Sequence, residues 1–270
     1  MIACTIAGSD SGGGAGIQAD LKTFQELKVF GTTVITALTA QNTVGVHGVL
    51  PVEPAFVDAQ LQAVLDDFNL KAIKTGMLFD AAIIETVAST LKNRSIPLVV
   101  DPVMIAKGGQ SLLLKEAIDA LKTHLLPLAT VCTPNVPEAE VLTGLSIKNE
   151  QDFEKAAKCI LSYGVKCVVI KGGHLHGKFA TDAVYMNGEQ PFFMRTSRFE
   201  TPHTHGTGCT FSAAITAQLA NGHSIRDAII EGKRFVDAAI KHPLHIGNGF
   251  GPTNHFAYQQ EERKQAVHVF

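Results

Sequence analysis

The residues with the clearest chemical potential form a short turn, Gly206-Thr207-Gly208-Cys209, directly before an apolar helical segment. A glycine-rich turn at a helix start aims backbone N–H groups and the positive end of the helix dipole at one point, which is a common way to hold phosphate. The same field would stabilise a thiolate, so Cys209 is a candidate base and we expect its pKa to be lowered. These residues alone are also compatible with a flexible turn that contains a buried cysteine.

Charged and amide side chains follow several strand-like runs. Lys171 closes the buried run 168–170 and precedes two glycines, so its charge is directed into a cleft where phosphate is the natural partner. Asp101 follows a strand and precedes a proline, a position where carboxylates often hold Mg²⁺ directly or through water. Asn135 and Glu138 stand similarly at the start of a later helix, although Glu138 could simply complement that helix's dipole.

Gln41 ends a strongly apolar strand. Its amide offers an acceptor and a donor side by side, which matches the ring nitrogen and exocyclic amine of an aminopyrimidine. The alternative is an amide that caps the backbone at the strand end.

The first glycine loop matches a dinucleotide fingerprint, G-x-G-x-x-A, at residues 14–19. The second strand ends without the carboxylate that this fingerprint requires, and the loop lacks the Gly-Lys-Ser/Thr of a P-loop. We therefore interpret it as a cover or floor for a small ligand, with Asp10 and Asp20 as candidate polar contacts. Asp20 could instead be a solvated carboxylate in the first turn of a helix.

Short β-branched runs alternate with amphipathic helical patterns along most of the chain, which predicts an α/β fold with a mostly parallel sheet covered on both faces. Strands are predicted at residues 2–7, 33–40, 72–75, 97–100, 129–133, 167–171 and 183–186. Helices are predicted at residues 18–27, 54–68, 81–91, 112–121 and 152–161. A hairpin turn at 185–189, a strand at 192–199 and helices at 208–220 and 224–241 follow. Ligands of such sheets bind outside the carboxyl ends of the strands, where the polar groups above would form a single cleft.

Composition favours one domain over residues 1–270, because no linker, repeat or low-complexity tract interrupts the chain. A hydrophobic content of 46% supports a large core, and 18% charged residues argue against disorder. The net charge of −2 gives no reason to expect nucleic acid or an anionic membrane surface. The absence of a signal-peptide pattern and of an apolar run near ~20 residues predicts a cytoplasmic location. Five scattered cysteines fit neither a disulfide framework nor a zinc site.

Taken together, these segments resemble the ribokinase superfamily, and within it the hydroxymethylpyrimidine/phosphomethylpyrimidine kinases of thiamin biosynthesis. The matching stretches are residues 5–24, 36–43, 74–78, 101–104, 133–139, 171–174, 204–210 and 251–255. The resemblance implies a ribokinase-like three-layer α/β/α sandwich with an antiparallel edge, usually a homodimer. It also implies phosphorylation of a hydroxymethyl group, first on an aminopyrimidine alcohol and then on its monophosphate, with ATP and Mg²⁺.

The resemblance also implies roles for individual residues. Catalytic roles are implied for Gly206, Gly208, Lys171 and Cys209, the last either as base or as part of the anion hole. Contacts to ATP are implied for Lys171, Asn135 and Thr207, and to Mg²⁺, partly through water, for Asp101 and Glu138. Contacts to the substrate are implied for Gln41, Asp20, Gly8, Met77 and Val103.

Two alternatives remain at this stage. A pyridoxine/pyridoxal kinase would use the same scaffold and the same cysteine turn, but its members are expected to carry an apolar residue where Gln41 stands. A non-catalytic nucleotide-binding module is the remote alternative, which measured ATP turnover would exclude.

Overall fold

A single ten-stranded sheet runs through the protein, in the order β10-β9-β8-β7-β6-β5-β4-β1-β2-β3. The structure, a computed structural model, describes residues 1–104, 115–174, 177–259 and 268–270. The strands are β1 Ile2–Asp10, β2 Phe30–Asn42, β3 Gly45–Pro51, β4 Ala72–Thr75, β5 Leu98–Val100, β6 Val131–Cys132, β7 Cys167–Lys171, β8 Phe179–Met186, β9 Phe192–Ser197 and β10 His268–Val269.

Helices connect the strands and cover the sheet. They are α1 Gly16–Glu26, α2 Pro54–Asp67, α3 Ala81–Leu91, α4 Lys115–Ala120, α5 Val136–Thr143, α6 Phe153–Leu161, α7 Thr207–Ala220 and α8 Ile225–Lys241. Neither these helices nor any other described one combines the length and apolar character that a membrane crossing requires.

The six central strands, β7-β6-β5-β4-β1-β2, pair in parallel, so their carboxyl ends share one edge of the sheet. Strands β8, β9 and β10 continue the sheet antiparallel on one side, which confirms the predicted α/β class with an antiparallel edge. β3 adds a second antiparallel edge beside β2 that was not predicted. Its seven residues are largely exposed and include two glycines and a proline. The segment therefore lacks the alternation of apolar and polar residues by which a half-buried strand is recognised in a sequence.

Three elements agree with the sequence prediction residue for residue. The predicted strands 72–75 and 167–171 and the helix 81–91 have the observed bounds. β1 and β2 extend further than predicted at their carboxyl ends, because the polar residues there continue the ladder beyond the apolar runs, and β2 also begins three residues earlier. The first three residues of the predicted helix 112–121 lie outside the described residues, and a π-helical turn, Leu121–Leu125, follows α4.

The helix that follows the glycine turn, α7, is buried almost throughout. Small residues make this possible: Ala213, Ala214 and Ala217 are fully buried in a cluster with Phe24 of α1 and Phe235 of α8. Gly232 of α8 lies so close to α7 that an added Cβ would be 2.9 Å from Cγ1 of Ile215. Packing of this density allows few alternative positions for α7 and so fixes the start of the helix relative to the strand ends.

Candidate active site

A cation and two carboxylates meet where β5, β6 and β7 end. Nζ of Lys171 lies 3.0 Å from Oδ1 of Asp101 and 3.9 Å from Oε2 of Glu138. Thr133 donates to Oδ1 of Asp101 at 3.1 Å, and Ser212 of α7 donates to Oδ2 at 3.2 Å. The carboxylate of Asp101 therefore ties three strand ends and α7 into one rigid group.

Burial and charge act against each other in this group. Burial lowers the pKa of Lys171, but the carboxylates of Asp101 and Glu138 outweigh it and raise that pKa well above its usual range. Burial raises the pKa of Glu138 to about 7, opposed by Lys171 and reinforced by Asp101. Lys171 is thus a permanent cation, whereas Glu138 changes its charge near neutral pH.

The predicted glycine turn lies against this cation. An added Cβ on Gly208 would be 3.4 Å from Nζ of Lys171 and 3.5 Å from Oδ2 of Asp101, so the start of α7 lies beside both charges. Gly206 has φ of 81° and lies against the first glycine loop, where an added Cβ would be 1.7 Å from the carbonyl oxygen of Gly14. The hydroxyl of Thr207 donates to the carbonyl of Thr204 at 2.7 Å and closes the turn.

Cys209 does not have the lowered pKa expected from its position at a helix start. Burial raises the pKa of its thiol to about 11; Lys74 and an N–H from Gly16 lower it, and the carboxylates of Asp20 and Asp101 raise it. The helix start therefore fails to outweigh desolvation, and the free protein carries a thiol at neutral pH.

Asp20 is not the solvated carboxylate that its place in the first turn of α1 allowed. It is fully buried, with Oδ1 2.6 Å from Nζ of Lys74 and Oδ2 accepting from Thr5 at 2.6 Å. Burial raises the pKa of Asp20, while Lys74 acts in the opposite direction. With no exposed surface, Asp20 can influence a bound substrate only through Lys74 or Cys209, not by direct contact.

The residues expected to line a ring are partly brought together. Gly8 packs against Met77 so closely that an added Cβ would be 2.4 Å from Cε of that methionine. Met77 is fixed in turn because Thr36 donates to its carbonyl at 2.6 Å. Val103 is half-buried and follows Asp101, to whose carbonyl its N–H donates at 2.8 Å.

Gln41 is half-buried at the edge of the same cleft, where the first glycine loop and the segment before α7 meet. Oε1 of its amide lies 3.2 Å from Oγ1 of Thr39, and Nε2 lies 3.3 Å from Nε2 of His205. Nε2 of His205 also lies 2.8 Å from Oδ2 of Asp10. The amide of Gln41 therefore belongs to a polar chain that also includes an acid from the glycine loop.

Asp10 organises that glycine loop rather than facing an open cleft. Its two carboxylate oxygens accept from the backbone N–H groups of Gly12 at 2.8 Å, Gly14 at 3.0 Å and Ala15 at 2.8 Å. Burial alone would raise the pKa of Asp10, but the imidazole of His205 and the N–H groups of Gly12 and Ala15 lower it overall. Asp10 is accordingly an anion at neutral pH.

Residues 10–254 match the family described as Phosphomethylpyrimidine kinase. The chain belongs to this family. It is 54% identical over 260 residues to the hydroxymethylpyrimidine/phosphomethylpyrimidine kinase of Haemophilus influenzae, covering 95% of this chain and 97% of the relative. Membership makes the chain a phosphotransferase and removes the non-catalytic alternative.

Two solved structures with the same fold are pyridoxal kinases. The enzyme from Staphylococcus aureus in complex with pyridoxal gives a TM-score of 0.92 at 40% identity and covers 100% of this chain and 98% of that chain. An ADP complex of the Bacillus subtilis pyridoxal kinase gives a TM-score of 0.90 at 44% identity over 96% of this chain and 99% of that chain. Two kinase activities are thus found on this scaffold.

Two residues of the site are not predicted from the sequence: Lys74, which pairs with Asp20, and His205, which contacts Asp10 and Gln41. From the sequence alone, Lys74 and His205 are included only in the stretches 74–78 and 204–210 that carry the family resemblance, and Lys74 also in the predicted strand 72–75. A signal existed for Lys74, since a lysine inside the short apolar run 72–75 of a central strand is buried on both sides and needs an internal counter-charge. Nothing comparable marks His205, because its partners come from distant segments of the chain.

Proposed function

We propose that the protein phosphorylates 4-amino-5-hydroxymethyl-2-methylpyrimidine with ATP, and then phosphorylates the resulting monophosphate to the diphosphate, in thiamin biosynthesis. The observation that carries the proposal is the position of Gly208 at the start of α7, where an added Cβ would be 3.4 Å from Nζ of Lys171 and 3.5 Å from Oδ2 of Asp101, themselves an ion pair. A helix N-terminus, a permanent cation and carboxylates within one cluster are the components that phosphoryl transfer requires.

Lys171 and the turn 206–209 hold the phosphates in this proposal. Lys171 pairs with phosphate oxygens of ATP, and the backbone N–H groups of the turn face the charge that builds up on the transferring phosphoryl group. Thr207, in the turn, and Asn135, whose backbone bridges to that of Lys171, contact the nucleotide in this proposal. As the substrate oxygen bonds to the γ-phosphorus, the bond to ADP breaks and the hydroxyl proton leaves.

Cys209 is the candidate acceptor of that proton. The alternative is that it contributes only to the anion site through its backbone N–H, as its neighbours do. The two roles differ in their pH dependence, because a thiol with a pKa of about 11 accepts a proton only after it has lost its own.

Asp101 and Glu138 fit a magnesium site. Mg²⁺ takes one or two carboxylates, keeps several waters and shares the phosphates of a bound nucleotide. These two carboxylates lie 3.0 and 3.9 Å from Nζ of Lys171, the residue proposed to pair with those phosphates. When bound, Mg²⁺ would neutralise phosphate charge. Asp101 and Glu138 would hold it, partly through water, and Glu138 would give up its proton to do so.

In this proposal the pyrimidine ring lies between Gly8, Met77 and Val103, and the amide of Gln41 pairs with its amine and ring nitrogen. Asp20 does not touch the hydroxymethyl group in this proposal; it is the buried counter-charge of Lys74. Pyridoxal phosphorylation is the second candidate function, supported by the likeness of the whole chain to a pyridoxal kinase.

A homodimer in the cytoplasm, with residues 1–270 acting as one domain, completes the proposal. Leu38 of β2 and Leu50 of β3 are direct cross-strand partners with 45% and 64% of their surface exposed, and Phe56 at the start of α2 is 62% exposed. Such apolar surface supports an interface with a second copy. The five free thiols are typical of a reducing compartment.

One experiment tests the function directly. Steady-state ATP consumption is measured side by side with the aminopyrimidine alcohol, its monophosphate and pyridoxal. We expect the highest kcat/KM with the two pyrimidines. Turnover of pyridoxal alone would replace the proposed function by the second candidate.

A further inference from the structure

The polar chain Asp10–His205–Gln41 defines which atom of the Gln41 amide faces which neighbour. Asp10 is an anion and can only accept hydrogen bonds, so the contact of 2.8 Å to Nε2 of His205 requires a proton on that nitrogen. Nε2 of His205 is then a donor. An N–H of Gln41 pointing at it from 3.3 Å would set two donors against each other.

The other end of the amide meets the same difficulty. Thr39 has one hydroxyl proton, and it goes to the carbonyl oxygen of Ser9 at 2.8 Å, the shorter of its two contacts. Oε1 of Gln41, 3.2 Å from the Thr39 oxygen, would then face lone pairs. A rotation of the amide by half a turn removes both conflicts, because Nε2 then donates to Thr39 and Oε1 accepts a share of the His205 proton.

We propose that His205, held by Asp10, is a specificity-determining positioning residue that fixes the amide of Gln41 with Oε1 toward His205 and Nε2 toward Thr39. This inference rests on the proposed function, in which Gln41 reads the aminopyrimidine. With Nε2 anchored on Thr39, its second N–H is left for the ring nitrogen. Oε1 keeps a lone pair for the exocyclic amine. The order of donor and acceptor, and so the direction in which the ring enters, is therefore set before substrate binds.

The backbone of His205 makes this arrangement rigid. Its N–H donates to the carbonyl of Gly251 at 3.0 Å, and its carbonyl accepts from Thr253 at 3.1 Å. The ring packs against Gly14, where an added Cβ would be 2.5 Å from Cδ2 of the imidazole. His205 also directly precedes the turn 206–209, so the residue that orients the amide of Gln41 is separated from Cys209 by four peptide bonds.

Substitutions of His205 provide the first test. His205→Leu removes the donor at similar size, whereas His205→Gln keeps an N–H donor near the position of Nε2. We expect His205→Leu to lower the ratio of kcat/KM for the aminopyrimidine alcohol over pyridoxal about tenfold, the effect of one misplaced hydrogen bond, since pyridoxal has no amine beside its ring nitrogen. His205→Gln should restore most of the ratio. His223→Leu, in the exposed turn between α7 and α8, is the control and is expected to leave the ratio unchanged.

A second measurement uses the unmodified protein and does not depend on turnover. Nuclear Overhauser contacts from the Gln41 amide protons should reach the methyl group of Thr39 and not the ring protons of His205. Contacts to the His205 ring instead, or equal losses on both substrates in His205→Leu, would overturn the proposal and leave His205 as a structural link. If the aminopyrimidine alcohol is not turned over at all, the proposed function fails while the amide orientation is still tested by this measurement.

Discussion

Lys74 and Asp20 form an ion pair 2.6 Å long with no solvent exposure on either side chain, beneath the helix start that carries Cys209. Burial opposes charge on Lys74, but Asp20 outweighs it and raises the pKa of Lys74. Such pairs add little to stability as a unit, whereas removal of one partner strands the other charge in the interior.

Lys74→Met is therefore expected to lower the free energy of unfolding by about 3–5 kcal/mol. The double variant Lys74→Met/Asp20→Asn removes both charges and should recover a large part of that loss. Urea denaturation of the three proteins measures both effects. Equal destabilisation of the single and double variants would mean that lost packing, not the unpaired charge, dominates.

Cys209 gives a prediction about chemistry rather than stability. Cys209→Ala should lower kcat about 100-fold or more if the thiol accepts the substrate proton. In the unmodified enzyme kcat should then rise with pH below the thiol pKa of about 11, because only the thiolate is a base. Cys159→Ala on the outer helix α6 serves as the control. A pH-independent kcat together with a small loss in Cys209→Ala would leave only the anion-site role.

Gln41→Leu separates the two candidate substrates. The substitution leaves the amine and ring nitrogen of a bound aminopyrimidine unpaired, and a site built for hydrogen bonds rejects a partner that cannot complete them. We expect kcat/KM to fall at least tenfold for the aminopyrimidine alcohol and much less for pyridoxal. Equal losses on both substrates would contradict pyrimidine recognition by this residue.

Asp101→Asn tests the magnesium site. Asp101 accepts from Lys171, Thr133 and Ser212, and an amide oxygen in place of Oδ1 can still accept from Lys171 and Thr133 while the charge is lost. The Mg²⁺ concentration needed for half-maximal rate should therefore rise, whereas the exposed Asp67→Asn on α2 should behave as the unmodified enzyme does. An unchanged requirement in Asp101→Asn would remove this residue from the site.

The sequence was sufficient to predict that Lys171 and Asp101 lie in one cleft, because the position of each follows from its own strand. Lys171 and Asp101 end or follow apolar strands, and parallel strands bring their carboxyl ends to one edge regardless of loop details. His205 and Asp10 meet across 195 residues, and no periodicity in either segment announces that contact. The expected lowering of the Cys209 pKa is wrong for a related reason. A helix start can be recognised in the sequence, whereas the desolvation that raises this pKa depends on how the start of α7 is buried.

Glu138 makes stability depend on pH in a predictable direction. Its pKa is raised from 4.5 to about 7 in the folded protein, chiefly by burial. The folded state then binds more protons than the unfolded state between these values, so this residue lowers the free energy of unfolding as pH rises through that window.

The variant Glu138→Gln tests this dependence. Its side chain stays neutral and keeps an oxygen that can accept the hydrogen bond that the Asn135 N–H donates to Glu138 at 2.8 Å. Between pH 4.5 and 7 its stability should consequently decline less with rising pH than that of the unmodified protein, as measured by thermal unfolding across the range. The control Glu85→Gln, at an exposed position on α3, should keep the slope of stability against pH of the unmodified protein. If Glu138→Gln also kept that slope, a group other than Glu138 would bind the proton.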